Sequence, residues 1–269
     1  MTTERKHPST DAAARTQQCA PGSLRLIVRR PGRDAGSPTA RGFTLVEMMI
    51  VVAIVAVLAA VLVMPALGAR MRSNETVALA SLRTVATQQE NFRSQTVVDQ
   101  DANGVGEFGL LAELAGVIVA RRAGATAPIA PRMIDSSFTT DANGFAMRCG
   151  FYCQVYLATD ANAGAGNDAD LGGDADTPGV ILDDLDGVTR QEYYWCAYAW
   201  PAGRNTGERA FFIDHGGIIY QTHGDAVTYA GTETVPEPDA AYGGALFTST
   251  PASGDGHTGN DGNCWTVVQ

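Results

Sequence analysis

An unbroken apolar stretch constrains this chain more than any other feature. The 20 residues from Met48 to Leu67 contain no charged or strongly polar side chain. As a helix with a rise of about 1.5 Å per residue, they would cross a hydrocarbon layer roughly 30 Å thick. The stretch is longer than the apolar part of a cleaved secretory signal, and the residues after it offer only weak cleavage sites. It therefore predicts a membrane-spanning helix.

Charge is distributed unevenly on the two sides of this stretch. The 269-residue chain has 19 basic and 29 acidic side chains, and eight of the basic but only three of the acidic ones lie in residues 1–42. The positive-inside rule then places residues 1–42 in the cytoplasm and the chain beyond Arg72 outside it. The net charge of −10 argues against direct nucleic-acid binding, which depends on clustered lysine and arginine.

The residues directly before the apolar stretch carry a second signal. They read RGFTLVE from Arg41 to Glu47, and an ionisable group at the edge of a membrane segment is costly enough to suggest a function. The signature resembles the N-terminus of type IV pilins and type II secretion pseudopilins. The resemblance covers residues 41 to about 67, and the leader is longer than is usual in that family. A start at Val28 would leave a more usual leader.

This resemblance implies processing and assembly. A prepilin peptidase would cut after Gly42 and methylate the new N-terminal Phe43. The α-amino group, with a reference pKa of about 8, would be largely cationic, and in lipid it needs a partner. Glu47 of an adjacent subunit would provide that partner. The implied partners are the peptidase, other pilin or pseudopilin subunits and an assembly platform, and the chain itself would not be an enzyme.

Helical periodicity continues beyond the apolar stretch and is followed by short strands. Apolar residues recur at helical spacing up to Phe92, so one long helix is predicted over residues 43–98, with a transmembrane and assembly part at 43–69. A short helix is predicted at 110–119. Residues 214–217 form a tight-turn sequence between two of the strands. The predicted strands cover residues 151–158, 193–200, 209–213 and 217–222.

These elements predict an α+β fold with a long N-terminal helix packed on a C-terminal antiparallel sheet, which is the pilin-like architecture. Residues 1–42 would form a cytoplasmic leader that is removed. Residues 99–269 would form an extracytoplasmic globular domain, with its sheet at about 151–222 and a loop-rich tail.

Four cysteines remain after loss of the leader, namely Cys149, Cys153, Cys196 and Cys264. An even number outside the cytoplasm predicts two disulfides, for which three pairings can be drawn. If the strands at 151–158 and 193–200 are neighbours, Cys153 can face Cys196, which leaves Cys149 for Cys264. A zinc site is the alternative, although the spacing fits it poorly.

Acidic loops predict a cation site. Asp99, Asp101, Asn103 and Glu107 place oxygen atoms around a glycine, as a calcium loop does, although Leu110 stands where an EF-hand has its bidentate glutamate. The alternative is a set of solvated acidic loops. A second acidic group comprises Asp168, Asp170, Asp174, Asp176, Asp183, Asp184 and Asp186.

Two other patterns carry less weight. Residues 104–109 match GxGxxG, but they follow a helix and an acidic turn instead of a strand, so we interpret the glycines as turn residues. His215, His223 and His257 fall in turns or loops, and we interpret them as exposed side chains.

The sequence thus predicts a structural subunit, minor in view of its size, of a type IV pilus or type II secretion filament. It would sit in the inner membrane with its C-terminus in the periplasm and then enter a periplasmic or surface filament. The alternative is a single-pass, membrane-anchored periplasmic protein that binds a ligand or calcium and does not polymerise.

Overall fold

A computed structural model of the chain describes residues 42–122, 124–141, 143–159, 164–165, 185–253 and 257–268. The predicted leader up to Arg41 and the acidic group from Asp168 to Asp184 lie outside these residues. The chain divides into two compact units, Met1–Val52 and Ala53–Gln269.

The elements follow the predicted order of a long helix and then a sheet. Among the described residues the helices are α1 (Leu45–Ser94), α2 (Leu111–Leu114), a 3₁₀ turn (Ser136–Phe138) and α3 (Leu185–Gln191). The strands are β1 (Ala146–Arg148), β2 (Phe151–Ala158), β3 (Gly164–Ala165), β4 (Trp195–Pro201), β5 (Ala210–Asp214), β6 (Ile219–Thr222) and β7 (Thr266–Val267).

The second half of α1 carries one buried stripe. Ala78, Leu82, Val85 and Phe92 are buried at helical spacing, as the periodicity predicts. The helix ends at Ser94, before the predicted end at 98, because Thr96 adopts a left-handed backbone with φ of 48°. The following loop therefore leaves the helix axis about one turn earlier than the sequence pattern indicates.

The strands form one antiparallel sheet in the order β1-β2-β4-β5-β6-β7, with β3 also paired to β2. Strand β2 has the predicted bounds, and β5 and β6 form the predicted hairpin, in which Gly217 has a φ of 74°. The α+β pilin-like prediction is thus confirmed. The helix predicted at 110–119 is shorter, because Gly116 turns the backbone to a φ of 61°.

Both faces of the sheet are buried. Val155, Leu157 and Phe211 lie in one core cluster with the stripe of α1. The other face presents aromatic side chains, including Tyr198 and Phe212, which pack against residues from the loop-rich tail. Tyr242 and Trp265 in that tail contact Phe212 with ring centroids 5.3 and 6.0 Å away. The tail therefore stabilises the sheet by covering an aromatic face that the helix does not reach.

The sheet register contradicts the predicted pairing of Cys153 with Cys196. Cys153 is opposite Ala199, whereas Cys196 is opposite Tyr156. Residues 153 and 156 are three apart on one strand, so their side chains point to opposite faces. The two thiols accordingly belong to different core clusters, and both are free.

The second predicted pair, Cys149 with Cys264, is contradicted as well. Cys149 is a free thiol in the turn after β1, and Cys264 precedes β7 at the other edge of the sheet. At least four strand spacings of about 4.8 Å separate these positions. A disulfide requires Cα atoms within about 7 Å of each other.

Burial predicts how the thiols react. Cys149 is exposed, whereas Cys153 and Cys196 are buried, and burial raises the pKa of Cys153 to about 12. We expect a thiol reagent to modify Cys149 in the native mature chain and to reach Cys153 and Cys196 only after denaturation, because the thiolate is the reactive form. Mass spectrometry of the labelled peptides measures this. Cys149→Ser is the control, and a disulfide-linked peptide containing Cys153 and Cys196 would contradict the register.

Candidate functional site

The N-terminal motif contains its own helix start. Thr44 precedes α1, and its Oγ1 accepts a hydrogen bond from the backbone N–H of Glu47 at 3.1 Å. A threonine cap of this kind satisfies one of the N–H groups that the first turn leaves unpaired. The Thr-x-x-Glu spacing is itself a sequence signal for the start of a helix. It places Glu47 in the first turn of α1, close in sequence to Phe43.

Around this motif the apolar side chains are exposed. Phe43 is 72% exposed, and exposed large apolar side chains continue along α1 as far as Leu67. Within the described residues, α1 is long and apolar enough to span a membrane. Soluble monomers rarely expose apolar surface on this scale, so the stretch requires lipid or other chains around it.

Gly42 has no structural requirement for glycine in this conformation. A Cβ built at Gly42 meets no atom of the described chain within 4 Å, and no positive φ is recorded there. A larger residue would therefore be tolerated by the fold itself. Any requirement for a small side chain at position 42 must come from a binding partner.

The predicted acidic loop directly follows α1. The backbone N–H of Glu107 donates to the carbonyl of Val98 at 3.1 Å and closes the loop. Asp99, Asp101 and Glu107 each contribute a carboxylate oxygen to a group in which these atoms lie within 4.8 Å of one another. Three of the four predicted calcium ligands therefore come together.

Backbone groups orient the two aspartates. The two carboxylate oxygens of Asp99 accept from the N–H groups of Asn103 and Gly104, both at 3.1 Å. Asp101 Oδ1 accepts from the same Asn103 N–H at 3.2 Å. Gly104 has a φ of 86°, so the interpretation of this glycine as a turn residue is confirmed.

Glu107 is the buried member of the group. Its side chain is 0% exposed, and Oε1 accepts from the N–H of Gln100 at 2.7 Å. Its Oε2 has no hydrogen-bond partner in the described part of the chain. Burial raises the pKa of Glu107 to about 7, although the Gln100 hydrogen bond and the charge of Arg121 oppose the shift.

Asn103, the fourth predicted ligand, forms hydrogen bonds within the loop and to a distant residue. Its Nδ2 donates to Asp101 Oδ2 at 2.8 Å and to Glu192 Oε1 at 2.6 Å, while its Oδ1 accepts from the N–H of Val105. Glu192, 1% exposed, is a fourth carboxylate near the group that sequence reasoning missed. No sequence pattern links it to the loop, because the two are 89 residues apart.

The other two glycines of the GxGxxG pattern allow the loop to pack closely against α1. A Cβ on Gly106 would collide with the carbonyl oxygen of Arg93, and one on Gly109 would lie 3.0 Å from the ring of Phe92. Gln89 also exchanges two hydrogen bonds with the backbone of Gly109, at 2.7 and 2.9 Å. These contacts hold the loop against α1 and explain why positions 106 and 109 are glycine.

The three histidines outside the leader lie at the surface. His215 is exposed in the β5–β6 turn, as predicted, and His223 and His257 are exposed as well. Within the described residues, none of them joins the carboxylate group.

Comparison with known proteins identifies the N-terminal motif. Residues 38–63 match the prokaryotic N-terminal methylation motif. The type IV wide pilus major component PilA4 of Thermus thermophilus is 50% identical over 54 residues, which are 20% of this chain and 41% of that protein. The N-terminal segment of this chain is therefore similar to the N-terminal segments of type IV pilins.

A second pilin relative covers the same end of the chain. The type IV major pilin protein PilA of Myxococcus xanthus is 36% identical over 77 residues, which are 29% of this chain and 34% of that pilin. The matches thus span less than half of either relative. No solved structure matches the chain.

Proposed function

We propose that this chain is a structural subunit of a type IV pilus, processed after Gly42, N-methylated at Phe43 and assembled through its apolar helix. The observation that carries the proposal is the methylation motif placed at the start of a helix that exposes large apolar side chains as far as Leu67. An assembled filament would bury that surface. Both reported relatives are pilus components, which favours a pilus over a type II secretion filament.

The proposal includes a membrane stage. Before assembly the chain would cross the inner membrane once, with the basic leader in the cytoplasm and the globular part in the periplasm. Its partners would be the prepilin peptidase, other pilin subunits and an assembly platform. In this role the chain is a substrate of the peptidase and catalyses no reaction itself.

Processing provides the direct test. We expect the mature chain isolated from cells to begin with N-methylated Phe43, measured by mass spectrometry of its N-terminal peptide. Gly42→Val should leave the full-length precursor in the membrane, because the peptidase site accepts only a small residue before the cut. The fold has room for that side chain, so loss of cleavage would report recognition and not misfolding.

Ala40→Val, two residues earlier in the leader, is the control and should be processed normally. A mature chain that keeps its leader, or one that begins at another residue, would contradict the proposal. Normal cleavage of the Gly42→Val chain would contradict it as well.

A further inference from the structure

We propose that Asp99, Asp101 and Glu107 bind one calcium ion in the loop that follows α1. The site is independent of the proposed filament role, since it lies in the globular part and uses no residue of the methylation motif.

The first support is the separation of the three carboxylates. Their oxygens lie within 4.8 Å of one another. Calcium binds oxygen at 2.3–2.6 Å, so ligands on opposite sides of the ion are about 4.6 to 5.2 Å apart. The three oxygens therefore fit within one coordination shell without movement of the backbone. Each oxygen that already accepts an N–H keeps a second lone pair for a cation.

The second, independent support is the unpaired oxygen of Glu107. Buried carboxylate oxygens in folded proteins almost always have a donor, and one without a donor requires an explanation. Glu107 Oε2 has none among the described residues, although the side chain is fully buried. Because Gln100 N–H holds Oε1 at 2.7 Å, the orientation of the carboxylate is set before any ion arrives. A cation bound in the group would supply the missing partner for Oε2.

The negative charge around the loop also favours a bound cation. Asn103 joins Asp101 to the buried Glu192, so four carboxylates lie close together around this loop. Like charges at this spacing repel one another, and a bound cation removes that repulsion.

The chemical type of the three ligands indicates which metal ion the site prefers. All three groups are carboxylates, and within the described residues no histidine or cysteine joins them, which disfavours zinc and copper. Magnesium demands near-ideal octahedral geometry, whereas calcium accepts six to eight oxygens in irregular arrangements and completes its shell with backbone carbonyls and water. An irregular loop with one buried and two half-buried carboxylates suits calcium better.

The chain contains its own matched control. The tetrapeptide DANG occurs at 101–104 and again at 141–144. Asp141 Oδ1 accepts from the N–H groups of Asn143 and Phe145, both at 2.9 Å, in a turn like that of Asp101. In the described part of the chain, however, Asp141 belongs to no carboxylate group. Asp101→Asn and Asp141→Asn therefore make the same change in similar turns, and only the first touches the proposed site.

Calorimetric titration of the purified full chain in detergent micelles with calcium chloride tests the site. We expect one ion per chain with a Kd of about 0.1–1 mM, as in extracellular modules. At 10 mM calcium the thermal unfolding midpoint should rise by about 3 to 10 °C over that in chelator. Glu107→Gln keeps the acceptor for Gln100, and both it and Asp101→Asn should weaken binding at least about tenfold. Asp141→Asn should bind like the wild type.

Three results would overturn the proposal. The first is an identical unfolding curve of the wild type in calcium and in chelator. The second is an equal rise of the unfolding midpoint with magnesium at the same concentration. The third is a loss of calcium binding in Asp141→Asn as large as that in Asp101→Asn. The wild-type titration needs no variant, so it decides the question even where a substitution prevents folding.

Discussion

Replacing Glu47 with valine is expected to leave the chain processed and in the membrane but to lower its incorporation into filaments about a hundredfold or more. After the proposed cleavage, the α-amino group of Phe43 would carry a positive charge at the end of an apolar helix. In a filament that charge would be enclosed by neighbouring helices, and the Glu47 carboxylate of an adjacent subunit would be its partner. Removal of one member of a buried ion pair costs about 3–5 kcal/mol, because the other charge is left without compensation.

The helix start should survive this substitution. The capping hydrogen bond uses the backbone N–H at position 47, which valine retains, and the Thr44 acceptor is unchanged. Filament yield is measured by shearing and quantifying assembled protein, with processing followed on the same samples. Glu47→Gln and Glu90→Gln are matched variants, because each removes one carboxylate from α1. Glu90 is exposed and far from the motif, so only the first variant tests the proposed ion pair. Wild-type filament yield from the Glu47→Val chain would favour the anchored protein that does not polymerise.

Arg121→Met is expected to destabilise the globular part by about 3–5 kcal/mol. Arg121 and Glu113 form an ion pair with Nε 3.1 Å from Oε1, and their side chains are 4% and 0% exposed. Arg121 also donates to the carbonyl of Phe108 at 2.7 Å and to the side chain of Gln191, which in turn donates to the carbonyl of Ala158. The network therefore joins the segment around α2 to α3 and β2.

The large effect arises because methionine fills the volume but leaves the Glu113 carboxylate buried without its cation. Chemical denaturation of the full chain in micelles measures the change. Arg122→Met is the matched control, since Arg122 is exposed and should change stability by less than about 0.5 kcal/mol. The double variant Arg121→Met with Glu113→Leu should recover part of the loss, because it removes both charges. Equal effects at positions 121 and 122 would contradict this account.

Local patterns in the sequence are sufficient to predict much of this protein's structure. The motif from Gly42 to Glu47, the apolar stretch and the bounds of β2 are all readable, because each depends on the type and spacing of neighbouring residues. The β5–β6 hairpin is readable for the same reason, since its turn residues lie between two short apolar runs. Asp99, Asp101 and Glu107 come together largely because one short loop carries all three.

Other features depend on positions that are distant in the chain. Cys153 and Cys196 lie on neighbouring strands, yet the register sends them to opposite faces, and register is a property of the assembled sheet. Glu192 reaches the acidic loop, and Arg121 reaches Gln191, only after the segments around α2 and α3 pack together. The sequence by itself determined the family motif, the membrane-length helix and the order of strands, since these follow from local periodicity. The tertiary structure alone decided which thiols and carboxylates are buried and what each one faces, because burial depends on long-range packing.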